Sequence, residues 1–285
     1  MSLVDPSKVQ FATGPATYGQ ALETPFRRFI QVAQRIEELG YAGIHTVDHM
    51  FLRPDRMLAR SVDLQRPYQA EAFTTLAALA AVTSRVYLGP MVTPLSLRHP
   101  SLIAKMGAQI DVISHGRLIL GCGTGWGEAE HVSFGLPYQP KFSVRYEQLL
   151  EGVQLIKKLW TEDGWVSFQG KHFRLQDAPL WPKPIQKPHP PIWFGGMGPR
   201  IRRAVAQVGD GWCPAAPHYE GLPPEHYREM LAEIRTLAKE EYRRDSNAIV
   251  PGMFCYIAIA STSQEALQKA RIVQQRIDWK DTPLE

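Results

Sequence analysis

Asp48 and His49 close an apolar run, residues 42–47, and open a polar stretch. An imidazole at such a boundary can donate or accept a hydrogen bond and can move a proton near neutral pH. Neighbours on a strand face opposite ways, so at most one of the two faces a site. His49 and Asp48 are the candidate catalytic pair; the plainer reading is that Asp48 caps the loop and His49 packs. His45, earlier in the same run, reads as a core histidine.

Two glycine-rich stretches carry the other candidates. Residues 117–126, Arg-Leu-Ile-Leu-Gly-Cys-Gly-Thr-Gly-Trp, run from a short β-prone segment into Gly121, Gly123 and Gly125 at alternate positions. Glycine there lets backbone amides approach a ligand and admits positive φ, or it makes a tight turn and nothing more. A dinucleotide fingerprint is excluded by spacing, because its third glycine would fall on Trp126 or Glu128. Further on, Gly195-Gly196-Met197-Gly198 precedes a helix whose first turn holds Arg200, Arg202 and Arg203. Amides at a helix N-terminus beside guanidinium groups suit a phosphate; the alternative is an ordinary turn before an exposed basic helix. Thr93 and Pro94 end another apolar segment, as a hydroxyl for a ligand or as a strand terminator. Arg98 and His99 precede Pro100 and read as caps or solvent-facing groups. Glu128, Glu130 and His131 look superficially like metal ligands, but no second cluster has zinc spacing, so no metal site is expected.

Composition sets the bounds. The 285 residues are 44% hydrophobic, ample for a large core, and the net charge is only +4. The densest basic group, the arginines at 53, 56, 60 and 66, lacks interleaved aromatics, so nucleic acid is not an expected partner. Cys122, Cys213 and Cys255 are far apart and odd in number, and read as small core residues. No leader pattern and no apolar run of membrane-spanning length occurs, so a cytoplasmic, soluble protein with no membrane partner is expected.

These candidates sit at the ends of regularly alternating elements. Strands are expected at residues 9–12, 42–47, 85–92, 118–120, 191–194, 211–213 and 253–260. Helices are expected at 25–39, capped by Thr24 and Gly40, then at 71–82, 100–113, 143–160, 200–207, 225–242 and 263–277. Phe26, Phe29, Ile30, Ala33, Ile36 and Leu39 give the first of these one buried face. Residues 127–140 read as a helix-free loop, and 165–175 as a hairpin. Seven strand–helix units predict a parallel α/β sheet, best closed as a (β/α)8 TIM barrel with a doubly wound sheet as runner-up. Residues 1–285 form one domain with insertions at about 50–70, 127–142 and 161–190. The eighth strand is missing, and clipping of the C-terminus is the favoured explanation.

In this order, Ala42-Gly-Ile-His-Thr-Val-Asp48-His49, Leu88-Gly-Pro-Met-Val-Thr93-Pro94, Arg98-His99-Pro100 and residues 116–126 resemble the bacterial luciferase-like monooxygenases. Phe134-Gly-Leu-Pro137, Leu159-Trp160-Thr, Lys183-Pro184-Ile-Gln, residues 190–196 and Asp210-Gly211-Trp212 continue the resemblance, which spans roughly residues 9 to 215. It implies a TIM-barrel oxidoreductase using coenzyme F420 for hydride transfer, or reduced FMN with oxygen, on a small organic substrate. The F420 subset is the more similar. It further implies His49 near the ring, Thr93 at its pyrimidine edge, and Gly123, Thr124, Gly125 and Trp126 as backbone contact and aromatic wall. Gly195, Gly196, Met197, Gly198 and Arg200 would hold the cofactor's phosphate. Trp126, Trp193 and Trp212 suggest a flat apolar ligand. A separate flavin reductase fits the FMN scheme, and a homodimer fits the family. Two other classes stay open: a flavin-free barrel lyase or isomerase acting on a phosphorylated substrate, and a non-catalytic flavin-binding subunit.

Overall fold

The computed structural model describes residues 8–14, 26–51, 69–215, 222–255 and 257–276. Parallel strands follow one another in chain order: β1 (Ala12–Thr13), β2 (Gly43–Thr46) and β3 (Tyr87–Pro90) form one ladder. A parallel bridge from Leu88 to Leu118 joins it to β5 (Leu120–Gly123), flanked by β4 (Thr93–Pro94). The series continues through β8 (Ile192–Phe194), β9 (Gly211–Trp212) and β10 (Val250–Pro251). Helices α1 (Phe26–Glu38), α2 (Ala72–Val82), α3 (Pro100–Ile113), α5 (Phe142–Thr161), α6 (Pro199–Val208), α7 (Pro224–Glu240) and α8 (Ser263–Arg276) alternate with the strands. This is the α/β-barrel arrangement, in which every strand delivers its C-terminal end to one face. Among the described residues no ladder joins β10 to β1, but the His45 and Phe254 rings meet edge to face at 5.7 Å across that gap.

Two layers of side chains make the core. Ile44, Leu88, Leu118, Leu120, Cys122, Ile192 and Phe194 are buried in the cluster that also takes in Leu76, Ile103, Ile156 and Trp160 of the helices. Trp160 donates to the Ala104 carbonyl (2.9 Å), and its ring lies 2.9 Å from where a Cβ on Gly107 would stand. On the strands themselves large residues lie across glycines. The Tyr87 ring occupies the space a Gly43 side chain would need, and Trp193 does the same at Gly211. At the strands' N-terminal end, Arg117 is buried and donates to the carbonyls of Ala80, Thr83, Val86 and Ser114 and to the Thr83 hydroxyl. Burial lowers its pKa, yet its donors are matched by acceptors that would otherwise lie buried and unpaired.

Several expectations need correction. The strand expected at 253–260 lies upstream: Val250, Gly252 and Phe254 donate to Asp210, Trp212 and Pro214. That alternation turns the missing N–H of Pro251 away from β9, so proline is tolerated in the pairing. Phe254 still bridges to Ala215, but beyond it no ladder occurs among the described residues, and Ile257 and Ile259 are exposed. Residues 127–140 contain a short helix, α4 (Glu128–Ser133), and the hairpin β6 (Trp165–Gln169) and β7 (Arg174–Pro179) extends past residue 175. Cys122 is buried, its thiol pushed up to about 12 by desolvation, but Cys255 is exposed and no core residue. Trp193 and Trp212 are packed in the interior. Thr24, Pro25, most of the 50–70 insertion and residues 277–285 lie outside the described residues.

α1 docks onto the start of β3 through Glu37, which accepts from the backbone N–H groups of Ser84 (3.0 Å), Arg85 (2.6 Å) and Val86 (3.0 Å). Partial burial pushes its pKa up, but these hydrogen bonds outweigh that and hold it below the ordinary carboxylate value. A lowered folded-state pKa stabilises above the unfolded value of 4.5 and stops doing so as pH falls through the folded value. Urea denaturation is therefore expected to find wild type more stable than Glu37→Gln at about pH 7, with the difference shrinking toward about pH 3.

Candidate active site

Asp48 and His49 follow β2 and diverge. Asp48 is 1% exposed and accepts the Thr93 hydroxyl (2.6 Å) and both Arg98 Nη atoms (2.7 and 3.1 Å). Arg98 reaches on to Glu71 (2.5 Å), whose carboxylate caps α2, and its guanidinium lies 5.1 Å over the Phe73 ring. Burial raises the Asp48 pKa, against the opposing pull of Arg98 and Thr93. For Arg98, burial is outweighed by Asp48 and Glu71, which raise its value and keep it charged. Asp48 and Thr93 are thus committed to a buried clamp joining β2, β4, α2 and the start of α3. His99 caps α3, its ring nitrogen accepting from the Ser101 N–H.

The glycines of β5 and the one that follows β8 have a role that composition alone does not disclose. A Cβ on Gly123 would stand 2.7 Å from the Val92 side chain, on Gly195 3.1 Å from it, and on Gly121 3.2 Å from it. At Gly123 and Gly195 the room is filled by Val92, which forms the cis peptide Met91–Val92, and at Gly121 the Pro90 carbonyl lies nearer still. Gly125 is the position where conformation itself demands glycine, at φ +74° with Ser96 and Pro94 close by.

His49 takes the opposite direction from Asp48. Its Nδ1 pairs with Glu130 (3.0 Å), whose other oxygen accepts the Met50 N–H (2.8 Å). The His49 ring stands edge-on to Trp126, centroids 5.3 Å apart, and Trp126 is 45% exposed. An imidazole beside an open aromatic wall is therefore held at the C-terminal ends of β2 and β5. Arg145, on the first turn of α5, holds the excursion that carries these groups, donating to the carbonyls of Gly125 (3.2 Å), Gln139 (2.6 Å) and Pro140 (2.8 Å). Sequence reading considered Glu130 only as a metal ligand, and no group of three or more candidate ligands occurs among the described residues. Nothing in a spacing rule links Glu130 to His49 across 81 positions; Glu130 and Arg145 as organising groups emerge only from the folded chain.

After β8 the chain turns through Gly195 and Gly196, the latter at φ +91° with its carbonyl accepting from Trp212 Nε1 (2.9 Å). α6 begins at Pro199 with Gly198 as N-cap and no side-chain cap, and nothing stands within 4 Å of where a Gly198 Cβ would lie. Its first turn offers backbone amides, as anion binding requires. The three arginines separate: Arg202 pairs with Glu233 and the Met197 carbonyl, and Arg203 with Glu241. Arg200 lies 6.0 Å over the Phe142 ring and makes no ion pair among the described residues. Thr124, between the β5 end and Trp126, is partly exposed.

A family profile described as luciferase-like monooxygenase matches residues 6–281. Pyrimidine monooxygenase RutA of Allorhizobium ampelinum is 32% identical over 213 residues, 74% of this chain and 55% of that protein. An F420-dependent glucose-6-phosphate dehydrogenase of Microbacterium testaceum is 32% identical over 196 residues, 68% of this chain and 53% of that protein. The chain thus spans about half the length of the curated relatives it matches. Among solved structures, an F420-dependent secondary alcohol dehydrogenase in complex with an F420–acetone adduct superposes with a TM-score of 0.76. That match has 22% identity and covers 93% of this chain and 74% of the other.

Removing Arg98 leaves a buried carboxylate without its counter-charge. Arg98→Met is expected to cost about 3–5 kcal/mol of stability, read by urea denaturation, and adding Asp48→Asn should restore part of it. Additive losses would show that the pair is not coupled.

Proposed function

We infer the function from one premise: this chain belongs to the luciferase-like monooxygenase family. On that premise the protein is an oxidoreductase that binds a flavin-type cofactor, coenzyme F420 or FMN, across the C-terminal ends of its strands. The observation that carries the reading is the His49–Trp126 pair standing at those ends. Such a cofactor supplies hydride transfer, or oxygen activation in the FMN case, which protein side chains cannot supply themselves.

The residues fit a group of this kind. An uncapped α6 N-terminus with Gly198 in open space and Arg200 nearby suits its phosphate. Val92, seated among Gly121, Gly123 and Gly195, makes a smooth apolar floor for a flat ring. Trp126 gives an aromatic wall, and Thr124 and Gly125 offer backbone contact. His49 is the candidate proton-handling or hydrogen-bonding residue; Asp48 and Thr93 act through the clamp that fixes the strand ends. The substrate is a small organic molecule bound beside the contacting rings of Trp126 and His49. The F420 reading is favoured by the relatives and the solved structure named as F420-dependent. The monooxygenase named among the relatives supports FMN, with a separate flavin reductase as partner.

Titration of the purified protein with each cofactor, followed by tryptophan fluorescence, tests this. Saturable binding of one cofactor is expected, weakened about tenfold by Arg200→Ala, the loss of about 1.4 kcal/mol. Saturation by F420 alone selects hydride transfer, and by FMN alone monooxygenation. Saturation by neither would sink the assignment and favour a flavin-free barrel enzyme.

A further inference from the structure

Glu130 lies in none of the motifs that mark the strand ends, yet it is 3% exposed and both its carboxylate oxygens are engaged. One accepts the backbone N–H of Met50, a group that can only donate. The other meets Nδ1 of His49 at 3.0 Å. With Glu130 as a carboxylate, that contact requires the proton to sit on Nδ1, because two acceptors cannot share a hydrogen bond. The neutral imidazole then carries no proton on Nε2, which makes no hydrogen bond to any described residue.

We propose that Glu130 is a positioning residue that fixes the tautomer of His49, so that Nε2 is presented beside Trp126 as a hydrogen-bond acceptor. The ligand group that His49 meets is accordingly a donor, an O–H or N–H. When that proton moves to Nε2, the Nδ1 proton stays on its hydrogen bond to Glu130, and the resulting positive imidazolium faces a buried negative charge 3.0 Å away. Rotation of the ring is opposed by the same contact and by the edge-on Trp126. The assignment rests on the reading of His49 as the working group of the site, but the tautomer can be measured without any cofactor.

The test compares wild type with Glu130→Gln by long-range proton–nitrogen NMR of selectively 15N-histidine-labelled full-length chain, at a pH where His49 is neutral. The His49 signal is identified by its absence in His49→Gln. Wild type is expected to show the Nδ1–H form. In Glu130→Gln the Met50 N–H claims the amide oxygen, so the amide NH2 faces Nδ1 and the tautomer inverts to Nε2–H. Turnover, once cofactor and substrate are in hand, should fall about 100-fold in kcat with KM nearly unchanged. An Nε2–H form in wild type, or the same tautomer in both proteins, would overturn the proposal. Should the variant fail to fold, the wild-type spectrum alone decides. Inversion in a protein that binds neither F420 nor FMN would uphold Glu130's role while counting against the oxidoreductase reading.

Discussion

A carboxylate cannot be taken out of water alone, and at Asp48 that constraint ties the C-terminal ends of the strands together. Satisfying it draws in the Thr93 hydroxyl from β4, the guanidinium of Arg98 from the turn before α3, and through Arg98 the Glu71 cap of α2. Four elements that are distant in sequence are fixed relative to one another by a single buried charge. Asp48 turns into this clamp just past the end of β2, while His49, its neighbour, turns to Glu130 and Trp126.

Volume acts alongside charge. Tyr87 over Gly43, Trp193 at Gly211 and Trp160 against Gly107 are the same solution at three places, a large ring admitted by a missing side chain. At the strand ends the pattern recurs with Val92 among Gly121, Gly123 and Gly195. There an apolar side chain sits where the strand ends carry none of their own.

Much of this was legible in the residues. Strand–helix alternation, the proline-started helices at Pro100 and Pro199, and apolar segments ending at His49, Thr93, Gly123 and Gly195 are local signals, and they placed the candidate residues on one end of a parallel sheet. The strand at Val250–Pro251 was not legible, because a strand is defined by its partner. Pairing with Gly211–Trp212 selected a proline-containing segment over the more β-prone run that follows. The short helix Glu128–Ser133 has no periodic pattern of its own; it is held by Glu130's contacts, and Arg145 fixes the chain on either side of it.

By itself, then, the amino-acid sequence determined most of the element types, their order and the set of residues that end the strands, because periodicity, capping and glycine conformation act within a few residues. Only the tertiary structure decided what those residues do. It engaged Asp48 and Thr93 in a clamp, buried Trp193 and Trp212, paired Arg202 and Arg203 with glutamates while Arg200 stayed over Phe142, and set Glu130 against His49. Hydrogen bonds and ion pairs between groups tens of residues apart depend on where the folded chain brings them, and no local rule of spacing carries that information.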